Sequence, residues 1–131
     1  MNKIEGIISK IESSGNISLI HIDVEKDTFY SIIINIEEYI QIGKKITLLF
    51  KETELIVAKN ISQEISISNK FMVNVEKIEK DNIISKLYLE YKKQILVSLL
   101  ITKDLEKLDL KEGESIIAFL KASEIILMEQ D

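Results

Sequence analysis

The sequence has no cysteine, no proline and no tryptophan, only four glycines and one histidine, and all 17 of its basic residues are lysines. Each absence closes a class of explanation. Without Cys there is no disulfide framework, thiol nucleophile or Cys-based zinc site, so the fold must rest on packing and hydrogen bonding. With His21 the lone imidazole, His-rich metal cages and triad hydrolysis both lack a required group. No catalysis is expected. Without Arg, bidentate guanidinium recognition of carboxylate or phosphate is absent. The formal charge of −5 argues against nucleic acid, since phosphate-backbone binding draws on clustered basic residues that release counterions. Phe71, Tyr88 and Tyr91 in an acidic chain supply no basic stacking groove for single strands either. No apolar run approaches the roughly 18 residues that span a bilayer, and Met1 to Gly6 carries an acidic residue and no signal-type apolar segment. The expectation is a cytoplasmic protein with no membrane insertion.

What is present is a repeat. Shifting the chain by 67 positions lays Asn2-Lys3 on Asn69-Lys70, Ile11-Glu12 on Ile78-Glu79, Ser18 on Ser85 and Ser31 on Ser98. The apolar positions Ile20, Ile22 and Ile34 fall on Leu87, Leu89 and Ile101 in the same register. Further on the offset becomes 70, pairing Gly43 with Gly113, Lys51 with Lys121, Glu54 with Glu124 and Ile56 with Ile126. The second copy thus holds three extra residues between Thr102 and Gly113. Two units follow, residues 1–60 and 68–131, joined by a connector at 61–67 whose alternating Ile and polar residues suit an extended, half-buried strand-like link.

Within each unit the apolar period is two. Ser18 to Ile22, Phe71 to Val75, Ser85 to Leu89 and, more loosely, Gln94 to Leu99 alternate as strands with one face on a core do, and their β-branched residues suit that state. Ser13-Ser14-Gly15-Asn16 and Glu79-Lys80-Asp81-Asn82 read as hairpin turns. Thr102 to Leu110 carries apolar residues at 105, 108 and 110 behind a Thr placed to cap, which predicts one or two helical turns. Each unit is therefore about five short strands with a small insert before the fourth, a size at which a partly open antiparallel barrel closes. A unit near 60 residues buries only about 60% of its unfolded surface, so pairing of units or of chains is expected, with a symmetric homo-oligomer as the natural completion.

The second unit contains Leu100-Ile101-Thr102, then Leu108-Asp109-Leu110-Lys111-Glu112-Gly113-Glu114, then Ala118-Phe119-Leu120-Lys121-Ala122-Ser123-Glu124-Ile125. This combination resembles the Mop, or molbindin-type TOBE, domain: an Asn lead-in to the first strand, a Thr closing the strand before a short helix, a Leu-rich turn with Gly, and a Lys-Ala-Ser break. The first unit is similar to a degenerate copy, with Asn2-Lys3-Ile4, Ile42-Gly43 and Lys51-Glu52-Thr53-Glu54 at the matching places. The resemblance implies an all-β chain of two tandem OB-like five-stranded antiparallel barrels, each with a short helical insert. It also implies a homo-oligomer, as a trimer of two-domain chains, and molybdate or tungstate bound as a small oxyanion between domains, with no organic cofactor. Storage or homeostasis of the oxyanion is the implied role. The alternative is a TOBE-type oligomerisation or docking module for a molybdate transporter or regulator that has lost oxyanion binding.

A tetrahedral metal dianion only accepts hydrogen bonds, so its pocket calls for hydroxyls, N–H groups and Lys rather than carboxylates. Carried over from the resemblance, the donors are Ser66, Ser68, Lys70, Thr102, Lys121, the backbone N–H of Ala122, and Ser123; weaker first-unit counterparts are Asn35, Lys51 and Thr53. Where the family commonly has an Arg this chain has Ser68, and where it has a Ser after the Thr this chain has Leu105, so one charge and one hydroxyl are missing, to be made up by Lys70 or another chain's Lys or else at the expense of affinity; the first unit is weaker still, and fewer working sites than units are expected. Lys51 and Lys121 equally suit solvated turns, Thr102 a helix cap, and Ser66 and Ser68 an exposed connector face. His21, matching Tyr88 on the same strand face, reads as a surface or interface residue. Glu37-Glu38 and the acids from Asp109 to Glu114 read as solvated turns.

Overall fold

The computed structural model describes residues 1–60 and 65–130. The first half contributes β1 (Asn2–Ser14), β2 (Ile17–Val24), β3 (Asp27–Ile34), β4 (Lys45–Phe50) and β5 (Ile56–Ala58). The second contributes β6 (Asn69–Glu79), β7 (Ile84–Tyr91), β8 (Gln94–Ile101), β9 (Ser115–Leu120) and β10 (Ile126–Glu129). One helix, α1 (Thr102–Leu108), stands between β8 and β9, and single 3-10 turns fill Glu52–Glu54 and Ala122–Glu124. The chain is all-β in two OB-like five-stranded antiparallel sheets, as expected. The period of two holds: Ser18, Ile20, Ile22 and Val24 of β2 are buried, as are Ser85, Leu87, Leu89 and Tyr91 of β7, while the residues between them face outward. No helix among the described residues is long and apolar enough to cross a membrane.

The internal symmetry is kept in atomic detail. β1 and β6 each carry a bulge, at Ile8/Lys10 and Val75/Lys77, which bends one long strand so that it pairs with two neighbours in turn. Beside the bulges sit Gly43 (φ 92°) and Gly113 (φ 90°), whose N–H groups donate to Ile8 O and Val75 O, both at 2.7 Å. The positive φ at these two turns is why glycine recurs there.

The two halves differ in their inserts. Only the second forms a helix; the first, three residues shorter, runs from Asn35 to Lys44 as turns. Asn35 takes a left-handed conformation (φ 58°), which turns the chain aside where Thr102 enters α1. Thr102 is also not the helix cap: Ile101 holds that position, without a side-chain capping bond. Of the expected connector, residues 61–64 lie outside the described residues, and Ile65 to Ser68 form no strand.

The sheets exchange their last strands. Their orders are β10-β4-β1-β2-β3 and β5-β9-β6-β7-β8, so β10 closes the first half's sheet on β4 and β5 closes the second half's on β9. Each insert grips the strand that arrives: Tyr39 Oη donates to Leu127 O at 3.2 Å, and Lys59 Nζ, just past β5, donates to Leu108 O at 3.2 Å and Asp109 O at 3.0 Å at the end of α1. A single apolar core runs across both sheets. At the seam Phe29, Phe71 and Tyr91 pack with ring centroids 4.9–6.1 Å apart, and the Tyr91 hydroxyl donates to Asp27 Oδ2 at 2.6 Å.

Candidate functional site

Two buried asparagines set the geometry of the seam. Asn69 Nδ2 donates to Tyr30 O at 2.9 Å and its Oδ1 accepts from Tyr30 N at 2.8 Å; Asn2 does the same to Val97, both bonds at 2.8 Å. Each asparagine opens one half's first strand and occupies the edge of the other half's third. Ser31 Oγ donates to Ile125 O at 3.0 Å, and Ser98 Oγ to Leu55 O at 2.6 Å. Each half's break is thereby pinned against the other half's third strand. Asn2/Asn69 and Ser31/Ser98 recur in the repeat, but nothing in their local sequence shows this bridging role. Their signal is a polar residue repeated at a position whose neighbours two away are apolar.

This exchange decides which candidate residues meet. Asn69 pairs with Leu120 across β6 and β9, so Ser66 and Ser68, just before the one, leave the sheet beside Lys121, Ala122 and Ser123, just after the other. Lys70 lies one step inside the same end, opposite Phe119. The five side chains Ser66, Ser68, Lys70, Lys121 and Ser123 are exposed. Glu124 N–H closes the 3-10 turn on Lys121 O at 2.9 Å, leaving the amides of Ala122 and Ser123 ahead of the closing bond. The packing partner of this turn is β3, and Asn35 follows the end of that strand.

Thr102 is not at this place. It is buried at the start of α1, where its Oγ1 donates to Asp81 O at 2.8 Å and meets Ser85 Oγ at 2.7 Å. Its backbone N–H goes to Ile83 O at 2.8 Å, as that of Asn35 goes to Asn16 O at 2.8 Å. The Thr102 proton is thus committed inside the fold. The break that packs on its strand is the first half's, around Lys51 and Thr53. Between them opens a cleft of about 590 Å³, walled by residues such as Leu55, Ile56, Ile84 and Ile101, with Thr53, Ser98, Asp104 and Lys107 as its polar members.

Among the described residues no group of three or more His, Asp or Glu is placed to hold a metal ion. His21 Nε2 lies 2.6 Å from Glu12 Oε2 and its ring packs edge-on to Tyr30 at 4.9 Å. In the second half Tyr88 Oη donates to Glu79 Oε1 at 2.8 Å. The hydrogen bond from His21, and then the charge of Lys10, hold the Glu12 carboxyl below its ordinary value. Glu114 is lowered too, first by the Lys111 backbone N–H and then by Lys59, which ties the turn after α1 to the exchanged strand.

The segment that carries the exposed donor cluster, residues 65–127, matches the family model of the TOBE domain. The second half is a TOBE domain. Over its full length the chain is similar to a crystal structure of the cytoplasmic molybdate-binding protein ModG with molybdate bound, at a TM-score of 0.91 and 20% identity, covering 98% of this chain and 96% of that one. That likeness shows the same fold, both halves included. A molybdate-binding protein from Sporomusa ovata is 30% identical over 51% of this chain and 100% of its own, with a TM-score of 0.50. No curated protein matches the sequence. Lys121, Ala122 and Ser123 lie within the TOBE domain, and so do Ser66, Ser68, Lys70 and Thr102.

Proposed function

We propose that this chain binds a tetrahedral metal oxyanion, molybdate or tungstate, as a cytoplasmic storage or homeostasis protein without catalysis. The observation that carries this reading is the convergence of Ser66, Ser68, Lys121 and Ser123 at one end of the TOBE domain, with side chains that make no hydrogen bond to the described residues. A dianion that only accepts hydrogen bonds is stabilised by hydroxyl, amide and ammonium donors. Such a site disfavours phosphate, which keeps a proton near neutral pH that would go unpaired. The first half is a diverged second TOBE-like unit, residues 1–60 against 68–131, whose Asn35, Lys51 and Thr53 are the weaker counterparts. The molybdate-binding relative matched over its full length supports the ligand class.

Assembly into a homo-oligomer belongs to the same reading. Ile17 pairs with Ile34 and Ile84 with Ile101 at equivalent sheet ends, and all four are 50–64% exposed. Covering them removes apolar surface from water. A trimer of two-half chains is the arrangement we favour.

Thermal melts in millimolar molybdate, tungstate, sulfate and phosphate test the ligand. The first two alone raise the melting temperature, since ligand at about 100 times its Kd stabilises by about 2.7 kcal/mol. No rise with either favours the second reading, a TOBE-type docking module, for which Ser68 in place of a cation is the specific observation.

A further inference from the structure

We infer that each chain carries one oxyanion site rather than two, because the cleft beside α1 is closed to anions by Asp104. This rests on the oxyanion reading above and concerns which of the two related places performs it. The strand exchange makes each place a composite of both halves: the second half's break lies against β3, and the first half's break lies against β8. They are related by the repeat, yet their chemistry has diverged.

At the cleft the donors are few and already used. The Ser98 hydroxyl is spent on Leu55 O at 2.6 Å, and Thr102, whose hydroxyl goes to Asp81 O at 2.8 Å, does not line the cleft. Thr53 and Lys107 remain, against the Asp104 carboxylate and walls of Leu and Ile side chains. Glu52 stands where the other break has Ala122, and its Oε2 already lies 3.4 Å from the Met1 ammonium. A doubly charged guest would meet the like charge of Asp104 beside apolar walls that offer it no hydrogen bond. Helix α1 is what carries Asp104 there. Glu37, which corresponds to it in the repeat, follows Asn35 out of β3 and lies instead near Tyr39, whose hydroxyl its charge raises after burial does. At the β3 side the donors Ser66, Ser68, Lys121 and Ser123 stay uncommitted to the described residues.

The count of bound molybdenum per chain tests this. Equilibrium dialysis of the intact protein against saturating molybdate, read by elemental analysis, gives no more than one per chain. Lys121→Ala removes it, whereas Lys107→Ala in the cleft leaves it. Asp104→Asn combined with Glu52→Ala opens the cleft and raises the count toward two, with an unchanged melting temperature in buffer alone showing that each of the three variants remains folded. Two per chain in the unaltered protein overturns the inference, as does loss of binding in Lys107→Ala with retention in Lys121→Ala. A count that stays at one in the double variant removes Asp104 and Glu52 as the barrier. No molybdenum bound at all by the unaltered protein is a different result, and it defeats the oxyanion reading itself.

Discussion

Asn69 holds Tyr30 by both main-chain groups, with N–H to Oδ1 at 2.8 Å and Nδ2 to O at 2.9 Å. A side-chain amide here does what a neighbouring strand would do for an edge, and does it from the other half of the molecule. Asn69 is 1% exposed and its counterpart Asn2 5%, so neither amide has water as a substitute partner.

Replacing Asn69 by Ala leaves the Tyr30 N–H and carbonyl unpaired at the seam, where each orphaned group costs about 1–3 kcal/mol. Asn69→Ala should therefore lower stability by about 2–4 kcal/mol in urea unfolding. Asn69→Asp should also lose stability, because it has no donor for the Tyr30 carbonyl. A variant as stable as the parent would remove the amide bridge from the account of the seam.

The exchange of β5 and β10 makes a prediction that a non-exchanged pair of halves would reverse. Leu127 is 8% exposed and pairs with Leu48 of β4. Leu127→Ala should cost about 2–4 kcal/mol, and amide hydrogen exchange should quicken in Ile46 to Leu49 more than in β9. Faster exchange centred on Ser115–Leu120 instead would show that β10 stays with its own half.

Gly6 in β1 has no room for a side chain. A Cβ there would lie 2.5 Å from Ile22 Cγ2 and 2.8 Å from Asp23 O, and the second of these is backbone that cannot swing away. Gly6→Ala is expected to destabilise by about 1–3 kcal/mol, the usual range for overpacking. The second half has Val73 at the matching place, and so the same bend is packed differently on the two sides. Thermal denaturation of Gly6→Ala against Gly15→Ala, whose Cβ meets nothing within 4 Å, separates contact from strain, since Gly15 also has a positive φ of 62°.

The pair His21–Glu12 predicts a pH effect with a definite sign. The Glu12 carboxyl is held low chiefly by the His21 hydrogen bond. A lowered folded pKa adds stability above the ordinary carboxylate range, and that addition fades as pH falls through the lowered value. By carboxyl carbon NMR, His21→Ala should move the Glu12 titration up toward its ordinary position. His21→Tyr should keep it low, as Tyr88 does first among the causes for Glu79. An unmoved midpoint in His21→Ala would show that the contact is not made in solution.

Much of the fold was legible because its signals are local. The alternation of Ser18 to Ile22 and Ser85 to Leu89 marks strands wherever they pair, and the turns at Gly43 and Gly113 need a residue that tolerates positive φ. The candidate site was legible only as residue types. Only the pairing of Asn69 with Leu120 puts Ser66 and Ser68 beside Lys121 and Ser123. Thr102 does not join them, because its hydroxyl is consumed by Asp81 and its strand faces the other break.

The sequence by itself determined the recurrence that relates the two halves, the alternation of their strands and the residue types of the break at Lys121 to Ser123. Only the tertiary structure decided which half supplies which wall. A strand of three or four residues such as Ile56–Ala58 or Ile126–Glu129 carries the same alternating pattern whichever sheet it joins. Its destination is chosen by contacts far away in the chain, among them Tyr39 on Leu127 and Lys59 on the end of α1, and those energies leave no mark in local periodicity.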